Sequence, residues 1–89
     1  MRFSEHPKVP RIEQWLSAGC AAHGLLQAAE AQGFAGIWRT GDAAFDRSVM
    51  DGLGLGADEE IVGFLYLGSR QGPAKPLPEM SVTDYVSQW

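Results

Sequence analysis

The sequence predicts a chain that combines α-helix and β-strand, and three stretches indicate this. Residues 11–32 are apolar or small with almost no charge, which is typical of a long, buried helix. Residues 61–67 are almost continuously apolar, as in a central strand covered on both faces. Residues 36–39 form a short strand between glycine turns. The predicted order is a long central helix, a short strand, a second helix, a central strand and an extended docking tail.

Composition limits the chain to one domain of 89 residues, although 45% of them are hydrophobic. The net charge is −4 and there is no basic run, which argues against binding to nucleic acid or to an anionic membrane. The single cysteine, Cys20, excludes an internal disulfide and is predicted to be a small buried thiol. The N-terminus lacks an apolar signal core, and the charge-free run 14–29 is too short to span a membrane. We therefore expect a soluble, cytoplasmic protein.

Residues 1–10 are predicted to form an extended N-terminal segment, the lead-in, which ends at Pro10, where a helix can begin. The helix that follows carries a nearly unbroken patch of small residues between positions 17 and 24. Small side chains let another backbone approach closely, so this helix is predicted to be buried and tightly packed. Gly33 is placed to end that helix as a C′ glycine.

Residues 34–69 predict a strand–helix–strand unit. Asp42 is the expected N-cap of the second helix, whose inner face comprises Phe45, Val49 and Met50. Three glycines at positions 52, 54 and 56 follow a helix rather than a strand, which favours a plain loop over a nucleotide-binding loop. Gly63, inside the second strand, indicates a close backbone approach or a bulge.

Residues 70–89 predict a proline-rich linker followed by a docking tail. Three prolines between positions 73 and 78 favour an extended backbone. The tail then carries Tyr85, Val86 and Trp89, more large apolar groups than a free tail needs. We expect the tail to dock on another surface, such as a second copy of the chain.

Few residues of the sequence are candidates for ligand binding or catalysis. Arg39, followed by Thr40 and Gly41 at a strand end, offers forked N–H donors, a hydroxyl and accessible backbone N–H groups, a combination suited to an anion. The alternative is a surface arginine beside an ordinary turn. His23 is three residues from Cys20 but is better explained as a hydrogen-bonded core or interface histidine than as a metal ligand.

No metal site, serine triad or activated nucleophile is evident, and the acidic run 58–60 is predicted to be a solvated turn. No side chain is therefore assigned as a catalytic acid or base. Any redox chemistry would have to come from a cofactor.

Four segments, residues 5–10, 17–21, 31–41 and 61–68, resemble the small NAD(P)H nitroreductases of the FMN-dependent nitroreductase family. The most specific pieces are Gly-Ile-Trp-Arg-Thr-Gly and Ile-Val-Gly-Phe-Leu-Tyr-Leu-Gly. The resemblance implies an α+β fold with a mixed sheet flanked by helices, and an intertwined homodimer with FMN at its interface. In that dimer, residues 11–33 would be the interface helix. It also implies hydride transfer from NAD(P)H through the flavin to a small-molecule acceptor such as a nitro compound or a quinone.

The resemblance further implies site residues. The family's flavin contacts map onto Trp38, Arg39 and Thr40. Its nicotinamide-nucleotide contacts map onto Ala28, Ala29, Glu30, Ala31, Gln32 and Gly33. The family's N-terminal half, with an Arg-Arg-Ser element for the flavin phosphate, has no counterpart here, so we expect residues 1–89 to form the C-terminal portion of the fold. An alternative hypothesis is a non-catalytic dimerisation or interaction fragment.

Overall fold

A computed structural model describes residues 1–89. It confirms the predicted mixture of helix and strand, an α+β arrangement with one small antiparallel sheet. The elements in chain order are helix α1 (Arg11–Ala31), strand β1 (Phe34–Arg39), a 3₁₀ turn (Asp42–Phe45), helix α2 (Arg47–Gly52), strand β2 (Phe64–Ser69) and a second 3₁₀ turn (Val82–Asp84).

Gly33 turns the chain from α1 into β1, as predicted for a C′ glycine. Its φ of 88° lies in the left-handed region, and its N–H donates to the carbonyl of Glu30 at 2.9 Å. Because the turn is so short, β1 runs back along α1. The strand begins at Phe34, two residues before the predicted start.

The sheet contains only β1 and β2, paired from Phe34 with Ser69 to Arg39 with Phe64. Gly36 brings β1 close to α1: a Cβ at this position would lie 2.8 Å from Cδ2 of Leu26 and 2.9 Å from Cδ2 of Leu67. One face of the sheet therefore packs on the helix through a position where only glycine fits without a shift of its neighbours.

The second strand differs from the prediction. It begins at Phe64, so residues 61–63 approach it outside the ladder, and it pairs with β1 alone. Its other edge is open because the chain holds no third strand to pair with it. The sequence pattern for a covered central strand is present, but its second neighbour is not.

The structure differs most from the sequence-based predictions in how few residues are buried. Only Phe3, Ala44 and Met50 are buried, and α1 has no buried residue. Cys20 is exposed, so the prediction of a buried thiol is wrong for this chain. The His23 side chain is exposed and forms no hydrogen bond, which excludes the core position, while the interface alternative stays a prediction. A two-stranded sheet covers one side of a helix and leaves the rest in solvent.

The lead-in is docked rather than merely extended. Phe3 is buried against Trp15, with ring centroids 5.8 Å apart, and its N–H donates to the Asp58 carbonyl at 2.9 Å. The Met1 ammonium group donates to the carbonyl of Glu60 at 2.9 Å. The acidic run 58–60 therefore also binds the N-terminal segment through backbone carbonyls, while Asp58 lies in a turn and is exposed, as predicted.

Helix α2 begins four residues later than predicted. The Asp46 carboxylate accepts a hydrogen bond from the N–H of Ser48 at 2.8 Å and caps the helix, whereas Asp42 opens the preceding 3₁₀ turn without a side-chain cap bond. Phe45 is 73% exposed and does not belong to the inner face, while Met50 does. The 3₁₀ turn takes up the residues that the sequence pattern assigned to the first helical turn.

The linker and tail carry one short 3₁₀ turn and otherwise no regular structure. Tyr85, Val86 and Trp89 are exposed, so docking of the tail on another surface stays a prediction.

Candidate functional site

Trp38 is the best-positioned of the predicted flavin residues. Its indole lies on the α1 side of the sheet, between Gly19 of α1 and Gly63 before β2. A Cβ at position 19 would lie 3.8 Å from the ring, and one at position 63 would lie 2.7 Å from Cδ1. The two glycines thus leave space for the half-buried ring and fix where it can lie.

Arg39 ends β1 and is exposed, and Thr40 and Gly41 follow it into a turn. Gly41 has a φ of 63°, a left-handed conformation that suits glycine and lets the chain reverse direction sharply. The three residues therefore present a guanidinium group, a hydroxyl and a side-chain-free backbone at one end of the sheet.

Arg39 differs from every other arginine of the chain. Arg2, Arg11, Arg47 and Arg70 each lie within 4.0 Å of a carboxylate oxygen. The guanidinium group of Arg39 forms no ion pair and donates no hydrogen bond. All of its guanidinium donors are therefore available to an outside acceptor.

The predicted flavin residues do not share one face. Successive residues of a strand point to opposite sides of a sheet, so Arg39 projects on the face opposite to Trp38. A group held by both would have to lie across the end of the strand, where Thr40 follows, rather than over either face.

The predicted nicotinamide residues lie at the other end of β1. Ala28, Ala29, Glu30 and Ala31 form the last turn of α1, and Gln32 and Gly33 cap it. Six residues of extended chain separate Gly33 from Arg39, about 20 Å. The structure thus keeps the two predicted sets apart.

A polar pocket of about 280 Å³ adjoins this end of α1. It includes Glu30 from the predicted set, and His23 and Gln27 line it from the same helix. Arg70, in the predicted linker, also lines the pocket, with its guanidinium group 4.0 Å from the Glu30 carboxylate. Residues three and four positions apart lie on one face of a helix, so the sequence could have predicted that positions 23, 27 and 30 lie together.

An apolar groove of about 500 Å³ runs along α1 beside Trp38. Trp15 and Leu16 also line it, and its small floor residues are Gly19, Cys20 and Gly24. The small-residue patch noted in the sequence lines this groove, and its role as an interface stays a prediction.

The structure shows no group of three or more histidine, cysteine, aspartate or glutamate side chains placed to hold a metal ion. None of its helices is both long enough and apolar enough to cross a bilayer.

Comparison with known proteins identifies relatives of this chain. Residues 2–69 match the family model described as Nitroreductase family. Over 70 residues the chain is 51% identical to the "Putative NAD(P)H nitroreductase YdjA" of Escherichia coli strain K12, and equally to that of strain O157:H7. It is 36% identical over 77 residues to a Haemophilus influenzae protein with the same name apart from "YdjA".

The matches cover 79% and 86% of this chain, but only 38% and 41% of the E. coli and H. influenzae proteins. The chain therefore spans about two fifths of the length of the curated relatives that it matches.

Proposed function

The chain belongs to the nitroreductase family, and on that premise we propose that it carries the C-terminal part of the flavin site of an FMN-dependent NAD(P)H oxidoreductase. The acceptors in this proposal are small nitro compounds or quinones, and the working form is a cytoplasmic homodimer. The names of the relatives support the nicotinamide donor. FMN is the cofactor that the family resemblance implies, and the residues at the end of β1 are its proposed phosphate contacts.

The observation that carries the proposal is the unpaired guanidinium group of Arg39. A phosphate monoester is dianionic near neutral pH and takes bidentate hydrogen bonds from arginine. Thr40 adds a hydroxyl donor next in the chain, and Gly41 leaves the backbone accessible. The donor set at this strand end fits a flavin phosphate.

When bound, FMN supplies the redox chemistry by taking a hydride from NAD(P)H and passing it on. The residues of this chain would bind FMN and orient it. Arg39 and Thr40 hold the phosphate, and Trp38, fixed between two glycines, supports the strand end from the α1 side. No side chain of the chain is assigned a proton-transfer step.

Residues 28–33 are proposed to contact the nicotinamide nucleotide. They are exposed or half-buried at the end of α1, where alanine side chains leave the backbone approachable. The C-terminal end of a helix carries partial negative charge, so contacts there favour hydroxyl and amide groups over phosphate. Glu30 is placed to accept hydrogen bonds from ribose hydroxyls.

Titration of FMN with the 89-residue chain, followed by quenching of flavin fluorescence, tests the flavin site. We expect saturable binding that Arg39→Ala weakens at least about tenfold, because a charge-assisted hydrogen bond contributes roughly 1.5–3 kcal/mol. Arg70→Ala removes the same charge elsewhere and is the matched control. Equal FMN affinity for Arg39→Ala and the unmodified chain contradicts the assigned role of Arg39.

A parallel titration with NADH tests residues 28–33. Glu30→Gln is expected to weaken binding severalfold, whereas Glu13→Gln, in the first turn of the same helix, should not. Weakening by both variants alike would indicate a general charge effect and remove Glu30 from the site.

The exposed apolar surface favours a second candidate function, a non-catalytic dimerisation or interaction module. Fifteen large hydrophobic residues are exposed, including Tyr85, Val86 and Trp89 of the tail. Removal of residues 78–89 should then change the oligomeric state seen by light scattering. A folded chain that binds no FMN but loses self-association on this truncation would favour the module over the flavoprotein.

A further inference from the structure

Arg70 reaches the end of α1 because of the register of the sheet. Ser69, the last residue of β2, pairs with Phe34, the first residue of β1. Phe34 follows the Gly33 turn directly, so the residue after Ser69 comes to lie beside the last turn of α1. There the Arg70 guanidinium group is 4.0 Å from the Glu30 carboxylate. The sheet thus brings an arginine to the region onto which the family's nicotinamide-nucleotide contacts map.

The Glu30 and Arg70 side chains form a loose pair that is open to a ligand. A separation of 4.0 Å is too long for a hydrogen bond, so the carboxylate keeps its acceptors and the guanidinium group keeps its donors. The two side chains are 75% and 42% exposed. Their formal charges cancel, and no other carboxylate, lysine or arginine lines the pocket. The pocket therefore offers strong donors and acceptors but little net charge.

The same pocket combines these polar groups with an apolar wall. His23 and Gln27 line it from α1, Leu26 and Phe34 supply apolar contacts, and its volume is about 280 Å³. The apolar wall suits the flat base of a nucleotide, and the polar side chains suit the hydroxyl groups of a ribose. The pocket lies at the opposite end of β1 from Arg39, so it is separate from the proposed phosphate contacts of FMN.

NADH and NADPH differ only at the 2′ oxygen of the adenosine ribose, which is a hydroxyl group in NADH and carries a phosphate in NADPH. In dinucleotide sites a carboxylate binds the 2′-hydroxyl, whereas an arginine accommodates the 2′-phosphate. Here the Glu30 carboxylate neutralises Arg70 and would repel the phosphate. The carbonyl end of α1 adds partial negative charge at the same place. The electrostatics of the pocket therefore favour the hydroxyl group.

We propose that the pocket lined by His23, Gln27, Glu30 and Arg70 binds the adenosine ribose of the nicotinamide nucleotide and selects NADH over NADPH. Glu30 accepts hydrogen bonds from the ribose hydroxyls and determines the specificity. Arg70 is a positioning residue that holds the carboxylate beside them. This proposal rests on the proposed function, because it assigns a preference to the same nucleotide site.

Titration of the 89-residue chain with NADH and with NADPH, followed by the fluorescence of the reduced nicotinamide ring, tests the preference. We expect NADH to bind at least about fivefold more tightly, because a hydrogen bond to a charged group is lost with NADPH. Equal affinities, or tighter binding of NADPH, overturn the proposal and leave the nucleotide site of the proposed function in place. Failure of both nucleotides to bind overturns that site and this proposal together.

Displacement of bound NADH identifies which end of the nucleotide occupies the pocket. Adenosine 5′-monophosphate should compete with NADH for the unmodified chain and compete severalfold less well for Glu30→Gln. Nicotinamide mononucleotide should lose no affinity in the same variant. The opposite result would place the nicotinamide end against Glu30 and refute the assignment to the adenosine ribose.

Variants of the pair test the mechanism of selection. Glu30→Gln removes the negative charge and frees Arg70, so it should weaken NADH, strengthen NADPH and shift the ratio of their affinities at least about tenfold. Adding Arg70→Ala to Glu30→Gln should abolish the gain for NADPH. Glu13→Gln, in the first turn of the same helix, is the matched control and should leave the ratio unchanged.

The variants should keep the fold, because both side chains of the pair are largely in solvent. Circular dichroism of each variant checks this directly. An unchanged ratio in a folded Glu30→Gln variant refutes the role of Glu30 in selection. A gain for NADPH that survives the addition of Arg70→Ala refutes the role of Arg70.

Discussion

The indole ring of Trp38 occupies the space that a side chain on Gly63 would need. A Cβ at position 63 would lie 3.0 Å from Cε2 of the ring and 2.7 Å from Cδ1, and the second distance is shorter than real Cβ contacts. Position 63 is where the chain enters β2, and Trp38 is next to the end of β1. The backbone at the start of β2 therefore packs directly on Trp38, the side chain that supports the proposed phosphate site.

Gly63→Ala should destabilise the chain by about 1–3 kcal/mol, since the new methyl group meets a rigid ring rather than a flexible side chain. Near-ultraviolet circular dichroism should also change as Trp38 moves, and urea unfolding measures the loss of free energy. Gly68→Ala is the matched control, because nothing lies within 4 Å of a Cβ built there. Equal unfolding midpoints for the two variants would show that the ring moves aside freely.

Gly36→Ala should cost less than Gly63→Ala, although its built Cβ is also crowded. The atoms that it meets are the Cδ2 ends of Leu26 and Leu67, which can rotate away. Alanine also restrains the unfolded chain more than glycine does, which offsets part of the crowding. We expect a net change in unfolding free energy within about 1 kcal/mol of zero. A larger loss than that of Gly63→Ala would contradict this ranking.

Asp46→Ala should destabilise the chain by about 1 kcal/mol, because the carboxylate caps α2 through the N–H of Ser48 at 2.8 Å. Asp42→Ala, which removes an acidic residue without a cap bond, should change stability by less than about 0.5 kcal/mol. Thermal unfolding of the two variants side by side decides which aspartate is the cap. A larger loss with Asp42→Ala would restore the assignment made from the sequence pattern.

Arg47 ties α2 to the loop that leads to β2. Its guanidinium group lies 2.9 Å from the Asp51 carboxylate and donates to the carbonyls of Gly56 and Glu59, each at 3.1 Å. A lysine ammonium group cannot reproduce this fork of donors. Arg47→Lys should therefore lose most of the stability that Arg47→Ala loses, about 1–3 kcal/mol in urea unfolding. Full retention of stability in Arg47→Lys would show that charge alone matters.

The long helix, the two strands and the Gly33 turn could be predicted because each depends on a local pattern. The α2 cap was misplaced because two aspartates four residues apart both precede helical residues, and only the 3₁₀ turn decides between them. The docking of Phe3 on Trp15 and the pairing of Arg47 with distant carbonyls are long-range contacts that no local pattern encodes.

Burial was overestimated for a different physical reason. Apolar periodicity shows which face of a helix or strand favours burial. It does not show whether the same chain contains the element that would cover that face. The strand at Phe64 and the helix around Cys20 both carry the pattern of covered elements, but the strand pairs with one other strand only and the helix has no buried residue. The Arg39 site was found from its residue types, while its separation from the Gly33 end of β1 needed the course of the strand.

Arg39→Ala should leave stability unchanged, in contrast to Arg11→Ala. The guanidinium group of Arg39 forms no ion pair or hydrogen bond within the chain, so its removal breaks none. Arg11 lies 3.0 Å from the Glu60 carboxylate, and its guanidinium carbon lies 3.4 Å from the centre of the Phe3 ring, so its removal should cost about 0.5–2 kcal/mol. Urea unfolding of both variants without ligand makes the comparison. If Arg39→Ala unfolds as early as Arg11→Ala, Arg39 has a structural role, and any loss of FMN binding in that variant would lose its value as evidence for a phosphate contact.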